Sequence, residues 1–252
     1  ILLSISTQNI KLELNLRRGL TIQSLAFASH GMEPCIGTLP HGYFPCISLG
    51  ADYYSGGVIV ELPLQRRRVT DLEKIEPTFL IKDNGNIEIR AEIRTQFGSI
   101  IKVVEVSTNS EKVSLIYNFP KWDKVFGSVR LGVMTLLNQF SHKNTKILCS
   151  NGGRDNEIFN FSGEFNHTKP PSTLVSSSRG LGATTGKIQI RNNGKSVNLQ
   201  WDPSESAVMP MLHNESFNNR TLSRVIFSMR EMDDTLKKPV NIEAFNFSIS
   251  TF

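Results

Sequence analysis

Two large antiparallel β-sheets packed face to face, with little helix, are what this chain should fold into. Alternation of apolar and polar residues with period two dominates it, as expected when strands bury one face and wet the other. Apolar spacing of the helical kind does not persist over three turns. Asn84-Gly85 and Asn193-Gly194 each stand between strand-like runs, and Asn-Gly readily takes the positive φ angles of a tight hairpin. Roughly fifteen or more short strand candidates exceed what an immunoglobulin-sized sandwich holds. With 252 residues and 39% hydrophobic content, a single domain over 1–252 can bury the core that such sheets need.

In chain order, the first clear strand signal is Ile10, Leu12, Leu14 and Leu16, alternating with polar neighbours. An irregular stretch follows at Ser29–Gly57. Arg66, Arg67 and Arg68 come next; in an extended segment they alternate between faces and read as a solvated strand edge rather than a phosphate patch. Ile87, Ile89, Ala91 and Ile93 form another strand, as do Val113, Leu115, Tyr117 and Phe119. Two more irregular stretches, Ser141–Arg154 and Glu164–Gly182, precede the run Val197, Leu199 and Trp201. The apolar segment Val225–Met229 ends on Glu231, Asp233 and Asp234, which read first as a polar turn and second as a base or a Ca²⁺ site. Long loops in a compact β domain are where a ligand site is to be sought.

Composition removes several function classes. The formal net charge of +5 comes from dispersed Lys and Arg, without the basic run of a nucleic-acid tail, so no nucleic-acid partner is expected. Cys35, Cys46 and Cys149 lack paired C-x-x-C spacing and read as buried thiols, not as a disulfide framework or a zinc site. No stretch reaches the roughly twenty apolar residues of a membrane span, and no signal-like segment is visible. Neither a membrane partner, a metal nor a cofactor is expected, and the compartment stays open. The opening Ile1-Leu2-Leu3 without an initiator Met reads as a piece of a longer protein.

The segment Leu14-Asn15-Leu16-Arg17-Arg18-Gly19-Leu20-Thr21-Ile22-Gln23-Ser24-Leu25 resembles the opening hairpin of galactose-mutarotase-like domains. The strings Leu174–Gly186, Trp201-Asp202-Pro203 and Phe227–Thr235 are similar to the β domain appended to family fifty-seven glycoside hydrolases and their relatives. The resemblance implies an antiparallel β-supersandwich whose concave sheet faces a sugar. In aldose epimerases of this kind, two His and a late acidic residue transfer protons. The Asn-His-x-Tyr strand motif of the epimerases is not evident here; the nearest string is Asn138-Gln139-Phe140-Ser141-His142.

Two loop clusters are the candidate carbohydrate site. His41, Tyr43, Tyr53 and Tyr54 concentrate rings and polar groups in the first long loop, the mixture that sugar faces and hydroxyls require; an alternative is a loop plugged by its own aromatics. Arg154, Asp155 and Glu157 form the richest polar string, where an Arg fork could hold vicinal hydroxyls; an ordinary surface ion pair is the alternative. No spacing singles out His30, His142, His167 or His213. These residues predict a carbohydrate-binding or accessory domain that positions an oligosaccharide or polysaccharide beside a catalytic domain in the full-length chain, and that is not catalytic by itself. The rivals are an epimerase, lyase or hydrolase using a His and an acid on the concave sheet, and a purely structural domain.

Overall fold

The computed structural model describes residues 1–44, 54–142, 144–153, 156–160, 165–166, 181–231 and 238–251. Its strands begin with β1 (Leu2–Ser6), β2 (Ile10–Asn15), β3 (Thr21–Phe27), β4 (Pro34–Gly37), β5 (Val58–Leu62) and β6 (Arg67–Thr70). A run of hairpins follows: β7 (Thr78–Ile81), β8 (Ile87–Thr95), β9 (Gly98–Val106) and β10 (Lys112–Asn118). Next come β11 (Ser128–Leu136), β12 (Lys146–Cys149), β13 (Glu157–Asn160), β14 (Phe165–Asn166), β15 (Lys187–Asn192) and β16 (Lys195–Trp201). The chain closes with β17 (Met209–Phe217), β18 (Arg220–Arg230) and β19 (Phe245–Ser250).

Two sheets result. The first runs β1-β2-β3-β4-β11-β18-β17-β14, with the β5–β6 hairpin joined to β11. The second runs β13-β12-β15-β16-β19-β10-β9-β8-β7. Pairing among the described strands is antiparallel, as in the long partners β11 with β18, β17 with β18 and β8 with β9. The all-β, two-sheet expectation therefore holds.

Alternation explains which side chains meet between the sheets. Leu12, Leu14, Ile22 and Phe227 from the first sheet face Ile89, Leu115, Tyr117 and Phe247 from the second, all at most 1% exposed. Tyr117 stacks on Phe247 with ring centroids 6.3 Å apart, and Phe227 packs on Phe247 at 4.8 Å, the offset geometry aromatic quadrupoles prefer. Both Asn-Gly hairpins form where the sequence predicts them. Asn193 and Gly194 have φ of 47° and 78° between β15 and β16, and Gly85 turns β7 into β8 with φ 81°. Strands β4 and β12 run through stretches that read as irregular; each has only four residues, too few for alternation to register.

One bulge decides what lies outside the core. Along β11, Val129 and Leu131 point inward, and so do Met134 and Leu136, a change of parity that a regular strand forbids. The register with β18 slips between Leu131 and Met134, with Gly132 at φ 54°. A Cβ at Gly132 would sit 2.9 Å from the Phe247 ring, so glycine lets the strand bulge against the aromatic core. The slip leaves Arg130 and Val133, three positions apart, on the same outer face.

A buried ion pair ties the sheets at one end. Lys102 of β9 and Asp71, which follows β6, are both 0% exposed. The Lys102 Nζ donates to Asp71 Oδ2 at 2.7 Å and to the Gly19 carbonyl at 2.9 Å. Asp71 Oδ1 accepts the Val58 amide at 2.9 Å. Gly19 has φ 59° and any Cβ there would fall 1.8 Å from the Asp71 carbonyl oxygen, which fixes glycine in the opening hairpin.

Candidate functional site

The face of the first sheet turned away from the core carries a connected set of charged side chains. On β17 the alternate residues Met209, Met211, His213 and Glu215 share this face; on β18 it is Leu222, Arg224, Ile226 and Ser228. Register pairs His213 with Arg224 and Met211 with Ile226. Across β11, Arg130 lies opposite Ser228 on one side and Ile59 of β5 on the other. Ile59, Val133, Met211 and Ile226 make a separate apolar patch among these polar groups.

Hydrogen bonds orient the set. Arg224 donates to His213 Nδ1 from Nε at 3.2 Å and from a terminal nitrogen at 2.5 Å. Nδ1 is thus the acceptor, which places the imidazole proton on Nε2, 2.9 Å from Glu215 Oε2. His213 is 2% exposed and Arg224 5%, so their bond is electrostatically firm, while Glu215, with 14% of its side chain exposed, reaches the surface. Arg130 grips Glu231 in a two-pronged pair, at 2.8 Å and 2.9 Å, and the Ser228 hydroxyl donates to the same carboxylate at 2.8 Å. Such fork geometry fixes direction as well as charge. Glu231 therefore belongs to this face; Asp233 and Asp234 lie outside the described residues.

The first long loop folds over one end of this face. Phe44 packs on the outward Leu222, with Leu39 and Tyr43 against the pair. Tyr43 lies 6.0 Å from Phe44 between ring centroids, and the Arg220 guanidinium sits 4.9 Å over the Tyr43 ring, a cation–π contact. His41 and Tyr54 come together edge to face at 5.5 Å, and Arg18 donates to the Tyr54 hydroxyl at 3.2 Å. His41 is exposed and Tyr54 half-buried. The structure thus groups His41 with Tyr54 and places Tyr43 in a neighbouring packed cluster; Tyr53 lies outside the described residues.

The second cluster sits elsewhere. Glu157 begins β13 at the edge of the second sheet, exposed, and accepts a hydrogen bond from Asn151 Nδ2 at 3.0 Å. Arg154 and Asp155 lie outside the described residues, as does His167. His142 is exposed in a turn where its Nδ1 accepts the Asn144 amide at 3.2 Å. His30 is buried against Phe27 and Phe140, with centroids 6.1 Å and 5.4 Å away; burial first, then the nearby Lys195 charge, lowers its pKa below 6.5. Cys35 and Cys149 are buried free thiols, and burial pushes Cys35 up to about 12. Among the described residues no three His, Cys, Asp or Glu side chains gather as a metal site would require.

Sequence reading passed over Arg130, Arg224 and Glu215. The signal available was the two-residue spacing Met211, His213, Glu215 on a strand, which aligns them on one face. Arg130 alternates outward between Val129 and Leu131, but its partner Glu231 is identified only once β11 pairs with β18.

No protein-family model matches the chain, and no curated protein sequence does. Solved structures do match in fold. An alpha-N-acetylgalactosaminidase, NagBb from Bifidobacterium bifidum, in complex with GalNAc, superposes with a TM-score of 0.63 at 7% identity, over 99% of this chain and 36% of that one. A galactose mutarotase-like protein from Lactobacillus casei superposes over the whole length of both chains, with a TM-score of 0.54 and 8% identity. A TPR-domain containing protein from Parabacteroides distasonis matches 98% of this chain and 46% of its own, with a TM-score of 0.56 and 11% identity. The fold is the galactose mutarotase-like β-sandwich. The chain spans only about a third of the length of the glycosidase, 36%.

Proposed function

We propose that this domain is a non-catalytic carbohydrate-binding module, which holds an oligosaccharide on the outer face of its first sheet and presents it to a catalytic domain. The observation that carries this reading is the Arg224–His213–Glu215 chain beside the apolar patch of Ile59, Val133, Met211 and Ile226. Oriented polar groups held over a buried apolar cluster suit a ligand whose hydroxyls need directed partners. His41 and Tyr54 supply ring surface in the first long loop, whose Tyr43 and Phe44 pack at Leu222 of that face. Acid–base catalysis needs a proton site aimed at the substrate. Here His213 engages Arg224 through one nitrogen and Glu215 through the other, and Glu231 has both oxygens on Arg130. The superposition on part of a glycosidase with bound GalNAc supports a sugar ligand and a role beside a catalytic unit.

Aldose epimerase-type catalysis is the competing reading, favoured by the same 2.9 Å approach of His213 to Glu215. Titration calorimetry with galactose- and N-acetylgalactosamine-containing oligosaccharides, paired with anomer-exchange NMR on the free sugars, separates the two. The expected result is binding that weakens roughly five- to tenfold in Tyr54→Ala or His41→Ala, with no acceleration of anomer exchange. Exchange that the wild-type domain speeds and His213→Gln abolishes would overturn the binding reading.

A further inference from the structure

The outer face of the second sheet carries a feature that strand pairing alone disfavours. Lys146 of β12 lies directly opposite Arg191 of β15. Their neighbours Ile147 and Ile190 point into the core, so both cations project outward, and both are exposed. Like charges directly across an antiparallel pair repel and destabilise it. Both cations line an open groove of about 680 Å³, beside which Lys195 turns its ammonium away to the His30 carbonyl at 3.0 Å. No aspartate or glutamate lines that groove among the described residues. Glu157 stands opposite Cys149, whose side chain is in the core, and so lies on the other side of the sheet.

Next to the groove stands a buried amide whose hydrogen-bonding capacity the protein leaves unused. Asn198, 1% exposed, stands across from the groove residue Gln189, and neither of its amide atoms is bonded. Unspent buried amides are costly unless something satisfies them.

We infer that this groove is a second glycan site, specific for acidic oligosaccharides that carry carboxylate or sulfate groups. An anionic oxygen placed between Lys146 and Arg191 turns their repulsion into two charge-assisted bonds. The surrounding Asn and Gln side chains suit sugar hydroxyls. Among the described residues no aromatic ring lines the groove, which leaves none of the stacking that single-stranded nucleic acid exploits. The site is separate from the face of the first sheet and does not rest on the reading given for it.

The test is calorimetry at low salt with tetragalacturonate, a chondroitin sulfate tetrasaccharide, a neutral galactan tetrasaccharide and a short oligothymidylate. The variants are Lys146→Gln, Arg191→Gln and their combination, all at exposed positions. At least one acidic tetrasaccharide should bind, and the double variant should lose about tenfold or more in affinity; which acid binds identifies carboxylate or sulfate. Without ligand, the double variant should melt no lower than the wild type, because a repulsion has been removed. Neutral galactan binding at the first sheet should be unaffected. The inference is overturned if neither acidic sugar binds, if the double variant keeps full affinity, if it melts lower, or if oligothymidylate binds as tightly as the sugars.

Discussion

His30 shows how one side chain can read out the packing of a whole corner. It is wedged between Phe27 and Phe140 with Nδ1 buried and unbonded, and its carbonyl accepts Lys195 Nζ at 3.0 Å. Burial, then the Lys195 charge, lowers its pKa from 6.5. The unfolded chain therefore takes up a proton as pH falls through 6.5, whereas the folded chain takes it up only at lower pH. Stability contributed by the neutral ring is fully present above 6.5 and declines as pH falls toward the lowered folded value. Urea denaturation at about pH 7.5 and about pH 5.5 should show a lower midpoint in acid, and His30→Gln should narrow the difference. Little of this was legible beforehand. A lone His gives no spacing to read, and its partners come from segments more than a hundred positions apart.

At the scale of elements, legibility followed local chemistry. The hairpin β15–β16 was readable because Asn193-Gly194 carries its own backbone preference, and β8, β10 and β16 because their apolar faces alternate without interruption. β4 and β12 were not, being four residues each. The bulge in β11 was hidden for a different reason: Gly132 is an unremarkable glycine until Phe227 and Phe247 are brought against it. That hidden bulge set Val133 on the same face as Arg130 and kept part of the candidate site out of reach of sequence reading. Residue type alone marked His41 and Tyr54 as candidates, and their contact needs the fold. The tie between β9 and the turns at Gly19 and Asp71 is likewise a property of assembled elements. Burial lowers the Lys102 pKa while Asp71 opposes it, and removing the ammonium strands a carboxylate in the core. Lys102→Met should destabilise the domain by about 3–5 kcal/mol in chemical denaturation, and adding Asp71→Asn should restore part of the loss, since an amide oxygen still accepts the Val58 N–H. Unchanged stability in Lys102→Met would show that the pair does not hold the sheets together.

Considered as a whole, the molecule is a two-layer sandwich with charged side chains on both outer faces and a core of stacked aromatics between them. The architecture was readable from alternation and turn chemistry because those signals repeat along the chain. The proposed ligand face was not, because its residues come from β5, β11, β17 and β18 and meet only after the sheet has formed. Division of labour follows from the geometry: the first sheet holds oriented, mutually bonded polar groups over an apolar patch, and the second presents cations without a carboxylate in its groove. The central claim is that the first face receives a sugar and leaves it chemically unchanged. Its most direct test is a backbone amide NMR titration with a galactose-containing oligosaccharide, with the sugar's own spectrum followed in the same samples. The account predicts saturable shifts clustered at Tyr54, His213, Glu215 and Arg224 and an unaltered sugar. Shifts confined to the second sheet, or a sugar converted during the titration, would contradict it.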